Sequence, residues 1–236
     1  MLRTIRQWLE AAADVVMPRS CAVCGHGLDG DERWLCRSCL SALPRTRYEE
    51  TDFNTMEQHF AGKVPIERAT AYFFYEKGSP YASILHDIKY HSMPRMGRWL
   101  TARAVSEMQA SHFFDGIDLV TAVPLHRSKL AHRGYNQSEY LARGIADALD
   151  INYIEALKAI RPHSTQTRKG AMERWQNIQG NYALNESVAS QLAGRHILLV
   201  DDVITTGSTL TVCATLLKTI PGVSVSLFTL AAARLE

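Results

Sequence analysis

Four aliphatic residues in succession, Ile197, Leu198, Leu199 and Val200, mark a strand buried on both faces of a parallel sheet. Residues 70–75 read as a second strand, at a sheet edge, and 118–124 as another core strand. A further strand falls within 151–160, residues 180–184 return toward the sheet, and the last strand covers 223–230. Between them, apolar residues recur at helical spacing. Ile84, Leu85 and Ile88 place a helix over 81–90, and Leu100, Ala104 and Met108 place one over 97–108. A third starts at Asn136 or Ser138 and runs to about Leu149, a short one covers 188–192, and another follows the aliphatic run to about Ile220. Leu2, Ile5, Trp8, Leu9, Ala12 and Val16 predict an amphipathic N-terminal helix over 2–16 that docks on the body of the protein. Strands alternating with helices give an α/β fold with a mainly parallel central sheet.

Two stretches break this pattern. Residues 43–67 are polar and aperiodic and read as a linker. Residues 161–177 form a long polar segment with four cations against one acid, the length and character of a lid. The predicted division is an N-terminal helix and cysteine ribbon over 1–48, a linker over 49–68, and the main domain over 69–236.

Composition narrows the classes little. The 236 residues are 46% hydrophobic and 21% charged, as in an ordinary soluble globular protein. The net charge of +2 means that any basic surface must be local. No apolar run approaches the roughly 20 residues that span a membrane, and Glu10 and Asp14 interrupt any signal-like segment. The expectation is a cytoplasmic protein without integral membrane association. In a reducing compartment, paired cysteines point to metal before disulfides.

Those pairs are Cys21/Cys24 and Cys36/Cys39. Each Cys-x-x-Cys presents two thiolates to one ion, Gly25 supports the tight turn, and four thiolates suit a closed structural Zn²⁺ site. Trp34 and Leu35 supply a small core. Two disulfides or a redox pair are the other reading of the same thiols.

Past the aliphatic run come Asp201, Asp202, Val203, Ile204, Thr205, Thr206, Gly207, Ser208 and Thr209. Strand, hydroxyl-rich loop and helix N-terminus make a phosphate cradle, because the first-turn N–H groups have no internal partner and the helix dipole favours an anion. Two acids would repel a bare phosphate. They fit a ligand with hydroxyls beside its phosphate, such as a ribose 5-phosphate. Residues 125–137 form a loop carrying Arg127, Lys129 and Arg133 and no acid, at the carboxyl edge of the sheet, where a pyrophosphate would be neutralised. A solvated basic turn is the alternative.

The nine residues from Asp201 to Thr209 resemble the signature of type I phosphoribosyltransferases, which bind phosphoribosyl pyrophosphate (PRPP). Val123-Pro124-Leu125 with Arg133-Gly134-Tyr135-Asn136-Gln137 resembles a segment of the ComF family, as do Ile88-Lys89, the loop containing Arg161, Gln166 and Arg174, and the two cysteine pairs. Tyr135 and Tyr182 depart from the family pattern. The resemblance implies a type I phosphoribosyltransferase-like fold with a hood, preceded by a small zinc ribbon. It implies a PRPP site at 201–209, a pyrophosphate loop at 124–134 and a hood at 161–178 that contributes Arg161, Gln166, Lys169 and Arg174. Mg²⁺ would accompany PRPP, and Asp201, Asp202, Arg127 and Arg133 would carry phosphoribosyl transfer to an acceptor. The competing implication is a DNA-uptake competence factor that binds single-stranded DNA beside a helicase-like partner and keeps the pocket as a sensor or relic.

Overall fold

The computed structural model describes residues 19–91, 93–161 and 180–233. The N-terminal helix expected over 2–16 lies outside them. The cysteine-bearing segment ends in helix α1 (Arg37–Ser41), capped by Cys36, whose Sγ accepts from the Cys39 amide. Helix α2 (Thr55–Phe60) then occupies part of the stretch expected to be a linker. Asn54 caps it, accepting from the amides of Met56 and Glu57, while Glu57 accepts from the Asn54 amide in return. Met56 and Phe60, one turn apart on α2, are fully buried, so this polar stretch contributes to the core. Asn54 and Glu57 also bond the backbone of Ala69, which ties α2 to the start of the first strand.

That strand is β1 (Ala69–Tyr75), followed by helices α3 (Ala82–Tyr90) and α4 (Pro94–Glu107) and strand β2 (Leu119–Ala122). The basic stretch at 125–137 is not a plain loop: it contains helix α5 (Arg127–Arg133), which buries no residue. Helix α6 (Gln137–Leu149) starts from Asn136 as its cap. The strand expected within 151–160 is split into β3 (Asn152–Tyr153) and β4 (Leu157–Ala159). Then come β5 (Tyr182–Leu184), the short helix α7 (Ala189–Leu192), β6 (His196–Ile204), α8 (Ser208–Lys218) and β7 (Ser224–Ala233).

Five parallel strands form the main sheet in the order β1-β7-β6-β2-β3. β1 is an edge strand, as its position in the sequence pattern predicts. β4 and β5 pair antiparallel in a separate two-stranded sheet, so 180–184 does not rejoin the main sheet. This ribbon flanks residues 162–179.

The sheet has a core on each face. On one, Leu198, Val200, Val120 and Phe228 pack with Leu100 of α4 and Leu141 and Ile145 of α6, and this cluster continues into Leu35 and Cys36 of the cysteine segment. On the other, Ile197, Leu199 and Leu227 pack with Phe60 of α2 and Leu210, Cys213 and Leu217 of α8. α4 and α6 approach closely at Gly144, where an added Cβ would lie 2.3 Å from the Arg98 carbonyl oxygen and 2.3 Å from Thr101 Oγ1.

The strand expected to end at Val200 runs on through both acids to Ile204. Its side-chain alternation reverses there. Leu198 and Val200 face the first core and Ile197 and Leu199 the second; beyond the acids, Val203 packs on the first and Ile204 lies in the second. The pairing with β7 includes Asp201 and Val203 but skips Asp202, whose amide donates instead to Asp201 Oδ1 at 2.8 Å. Adjacent strand residues normally point to opposite faces. The reversal explains how two neighbouring carboxylates both meet the first turn of α6.

Candidate ligand site at the sheet edge

Ser138 Oγ donates to Asp201 Oδ1 at 2.8 Å, and Gln137 Nε2 donates to Asp202 Oδ2 at 2.8 Å. Both donors are buried in the first turn of α6. Lys89, from the last turn of α3, places Nζ 3.1 Å from Asp202 Oδ2. Arg133 donates to Gln137 Oε1 and lies over the Tyr90 ring, 5.3 Å from its centroid. Tyr135 donates its hydroxyl to the Ile88 carbonyl, fastening the turn before α6 to α3. The acids of β6 therefore sit in a polar frame built from α3, the end of α5 and α6.

The charges in this frame are unequal. Burial and the neighbouring Asp202 carboxylate push the Asp201 carboxyl up to about 7, although the Asp202 amide, Ser138 and Lys89 all pull it down. A cation or several hydroxyl donors placed on Asp201 would relieve that tension.

The hydroxyl loop follows directly. Thr205 and Thr206 are exposed, and Thr206 Oγ1 lies 3.1 Å from Ser208 Oγ. Gly207 caps α8 with φ +66°, a left-handed conformation suited to glycine. An added Cβ there would lie 3.0 Å from the His59 ring. His59 itself donates Nε2–H to the Thr206 carbonyl at 2.9 Å. α2 thus packs against the loop through His59.

The sequence reading is recovered unevenly. Asp201, Asp202 and Arg133 come together through Gln137. Arg127 goes elsewhere: exposed at the start of α5, it lines a cleft of about 450 Å³ with Pro124, Asn136, Tyr153, Glu155 and Ile160. Arg161 is exposed beside Gly180 at the end of the β4–β5 ribbon. Gln166, Lys169 and Arg174 lie outside the described residues. From sequence, Lys89 and Gln137 lie in segments that resemble the ComF family and Ser138 is a candidate helix start, none with a role in the site, and His59 carries no signal of its own. The Asn54-x-x-Glu57 capping pattern is the signal that could have marked the helix that carries His59, in a stretch read as linker.

The four cysteines converge. Their sulfurs lie within 4.8 Å of one another, with Cys24 Sγ 3.8 Å from Cys36 Sγ. The Cys36 amide donates to Cys21 Sγ and the Cys39 amide to Cys36 Sγ. Burial raises the Cys21 thiol, but the amides of Cys24, Cys36 and Val23 outweigh it and bring it down to about 7. Burial and the neighbouring thiols push Cys39 up instead. Four such sulfurs cannot all ionise without a shared cation, and the donor set fits a closed tetrahedral zinc centre. Gly25, at φ +72°, makes the turn after the first pair.

A phosphoribosyl transferase domain model matches residues 136–235, from the cap of α6 to the end of β7. Competence protein F of Haemophilus influenzae is 34% identical over 116 residues, covering 49% of this chain and 50% of that protein, so the match spans half of that relative's length. DNA utilization protein YhgH of Escherichia coli K12 is 27% identical over 201 residues, covering 84% of this chain and 83% of that protein. The chain is thus similar to these competence and DNA utilization proteins, and its residues 136–235 match a phosphoribosyl transferase domain. Among solved structures, the allosteric regulatory enzyme of purine biosynthesis aligns with TM-score 0.39 and 21% identity, over 61% of this chain and 30% of that one. Adenine phosphoribosyltransferase from Leishmania tarentolae aligns with TM-score 0.38 and 12% identity, over 81% and 94%. The matched domain includes β6, the hydroxyl loop and α8 whole, while Lys89, Tyr90 and the cysteine centre come from outside it.

Proposed function

We propose that the carboxyl edge of the sheet binds PRPP, or a related ribose 5-phosphate ligand, and transfers its phosphoribosyl group to an acceptor nucleophile. The observation that carries this reading is the pair Asp201 and Asp202, turned to one side by the reversal in β6 and followed at once by the hydroxyl loop and the N-terminus of α8. Ionised carboxylates accept from the two ribose hydroxyls. Amides and hydroxyls of residues 205–209 receive the 5-phosphate. Lys89, held on Asp202 without ligand, and Arg133 supply positive charge toward the pyrophosphate.

In the transfer, the bond from ribose C1 to the pyrophosphate oxygen breaks and its electron pair leaves with pyrophosphate. A new bond forms from C1 to the acceptor, which gives up a proton. The barrier falls mainly through stabilising the leaving charge and keeping water out. Mg²⁺ fits the same chemistry: it would be held by ligand oxygens with Asp201 and Asp202 at hand, and it supplies charge neutralisation on the pyrophosphate. Arg161 and the segment 162–178 are assigned to the hood on this reading. Calorimetry with PRPP and Mg²⁺ tests it. Asp201→Asn combined with Asp202→Asn should abolish binding in a protein that keeps its circular dichroism spectrum; unchanged affinity would sink the assignment.

A second reading, binding of single-stranded DNA, is favoured by one other feature. A cleft of about 1030 Å³ between the cysteine segment and α4 is lined by Arg19, Arg33, Arg95 and Arg98 against Asp87 and Asp147, the latter paired with Arg98, together with Trp34, Trp99 and Tyr140. Cations interleaved with aromatic rings suit phosphates and unstacked bases. A steep salt dependence of oligonucleotide affinity, lost in Arg33→Glu with Arg95→Glu, would support it. No binding at low salt would leave the transferase reading alone.

A further inference from the structure

The end of α3 carries a cluster that the sheet-edge site does not use. Asp87 Oδ1 lies 2.7 Å from His91 Nδ1 and 3.9 Å from His86 Nδ1. The donor atoms of His86, Asp87 and His91 all lie within 4.8 Å of one another. The two imidazole rings stand 4.7 Å apart at 77°. Both therefore face the same carboxylate. The Asp87 side chain is only 15% exposed, so it is held in place, whereas those of His86 and His91 are 57% and 56% exposed. An ion can enter from solvent and keep water on its remaining positions.

The helix end favours a cation as well, although Asp87 also lines the cleft that holds Arg95 and Arg98. His91 is the C-cap of α3, so the cluster sits where the helix leaves carbonyl groups unpaired and the dipole is negative. Two imidazoles and a carboxylate suit zinc, cobalt and nickel, and they differ in kind from the four thiolates of the ribbon.

We propose that His86, Asp87 and His91 form a second metal site, selective for a divalent transition ion. Binding selects the His91 tautomer whose Nδ1 lone pair is free. The proton that bridges Nδ1 to Asp87 moves to Nε2 or to solvent, and the ion takes its place. The site is also connected to the sheet edge. His86 packs on the Tyr90 ring at 5.1 Å, Tyr90 lies beneath Arg133, and Lys89 in the same turn pairs with Asp202. An ion at His86, Asp87 and His91 therefore stiffens the turn that delivers Lys89 and Tyr90 to the acids. The metal site itself does not depend on the PRPP reading, since its test uses metal alone.

The test uses tag-free full-length protein loaded with zinc at its cysteines, freed of excess metal with a weak chelator and titrated calorimetrically with Ni²⁺. One equivalent should bind per chain, with the zinc content unchanged. His86→Ala and His91→Ala should each weaken it by at least about tenfold. Both histidines are exposed, and circular dichroism checks that the variants fold. A second measurement needs no variant: Co²⁺ added to the zinc-loaded protein should give only the weak bands of nitrogen and oxygen ligation. Absence of saturable Ni²⁺ uptake, uptake unaltered in both histidine variants, or strong thiolate charge-transfer bands with Co²⁺ would each overturn the proposal.

Discussion

In Asp201 burial and the neighbouring Asp202 charge act together against ionisation. Its carboxyl is raised to about 7 from an ordinary value of 3.8, so the folded chain binds a proton there that the unfolded chain releases at lower pH. Its contribution to stability is present below about pH 4 and is lost as pH rises through about 7. Asp201→Asn should therefore stabilise the ligand-free protein at pH 8 by about 1 kcal/mol or more. Urea denaturation at pH 5 and pH 8 checks this: the wild type should lose stability between them from this group, and the variant should not. The same titration should strengthen PRPP binding as pH rises through 7, because only the ionised carboxylate accepts from both kinds of donor. Gly207 makes a second residue-scale case. Gly207→Ala places a Cβ against His59 at a positive φ, which should cost about 1–2 kcal/mol and disturb the loop. Thermal unfolding would read the first effect, and calorimetry with PRPP the second.

Helices α4 and α6 form the element-scale support of the site. α6 presents Gln137 and Ser138 from its first turn, and Gly144, two turns on, lets it lie against α4. Thr101 Oγ1 also donates to the Leu141 carbonyl at 2.9 Å. Gly144→Ala must push the helices apart and should cost about 3 kcal/mol, at the upper end of overpacking effects, with PRPP affinity falling as well; chemical denaturation measures the cost. Elements differ in how readable they were. α6 was legible because its apolar positions keep a helical period and Asn136 is a good cap. α5 was not, because it buries nothing and leaves no apolar stripe to find. α2 was read as linker because it has only Met56 and Phe60 to show, too few for a period; its capping box is the signal that was missed. β6 was read too short because acids usually end a strand, whereas here the ladder continues by turning one amide onto an aspartate.

For the whole molecule, the cysteine cluster and the candidate site share one core: Leu35 and Cys36 pack in the cluster that holds α4, α6 and one face of the sheet. Stripping the cysteine-bound metal with a strong chelator should therefore lower Tm of the entire chain rather than melt a separate module, and differential scanning calorimetry should show one transition moving down. The site acids were legible because they are contiguous with a motif. The pairing with their partners was not, because Lys89, Gln137 and Ser138 reach them only through the fold. The order of the strands has a further consequence for synthesis. β1 has its sheet partner in β7, with Ala69 beside Leu227, so an early segment waits for a late one. On the ribosome, the cysteine ribbon and α3–α4 emerge first with no sheet to pack on. Chaperone demand should be concentrated in that interval, and it ends when β6 and β7 leave the tunnel and slide in between β1 and β2.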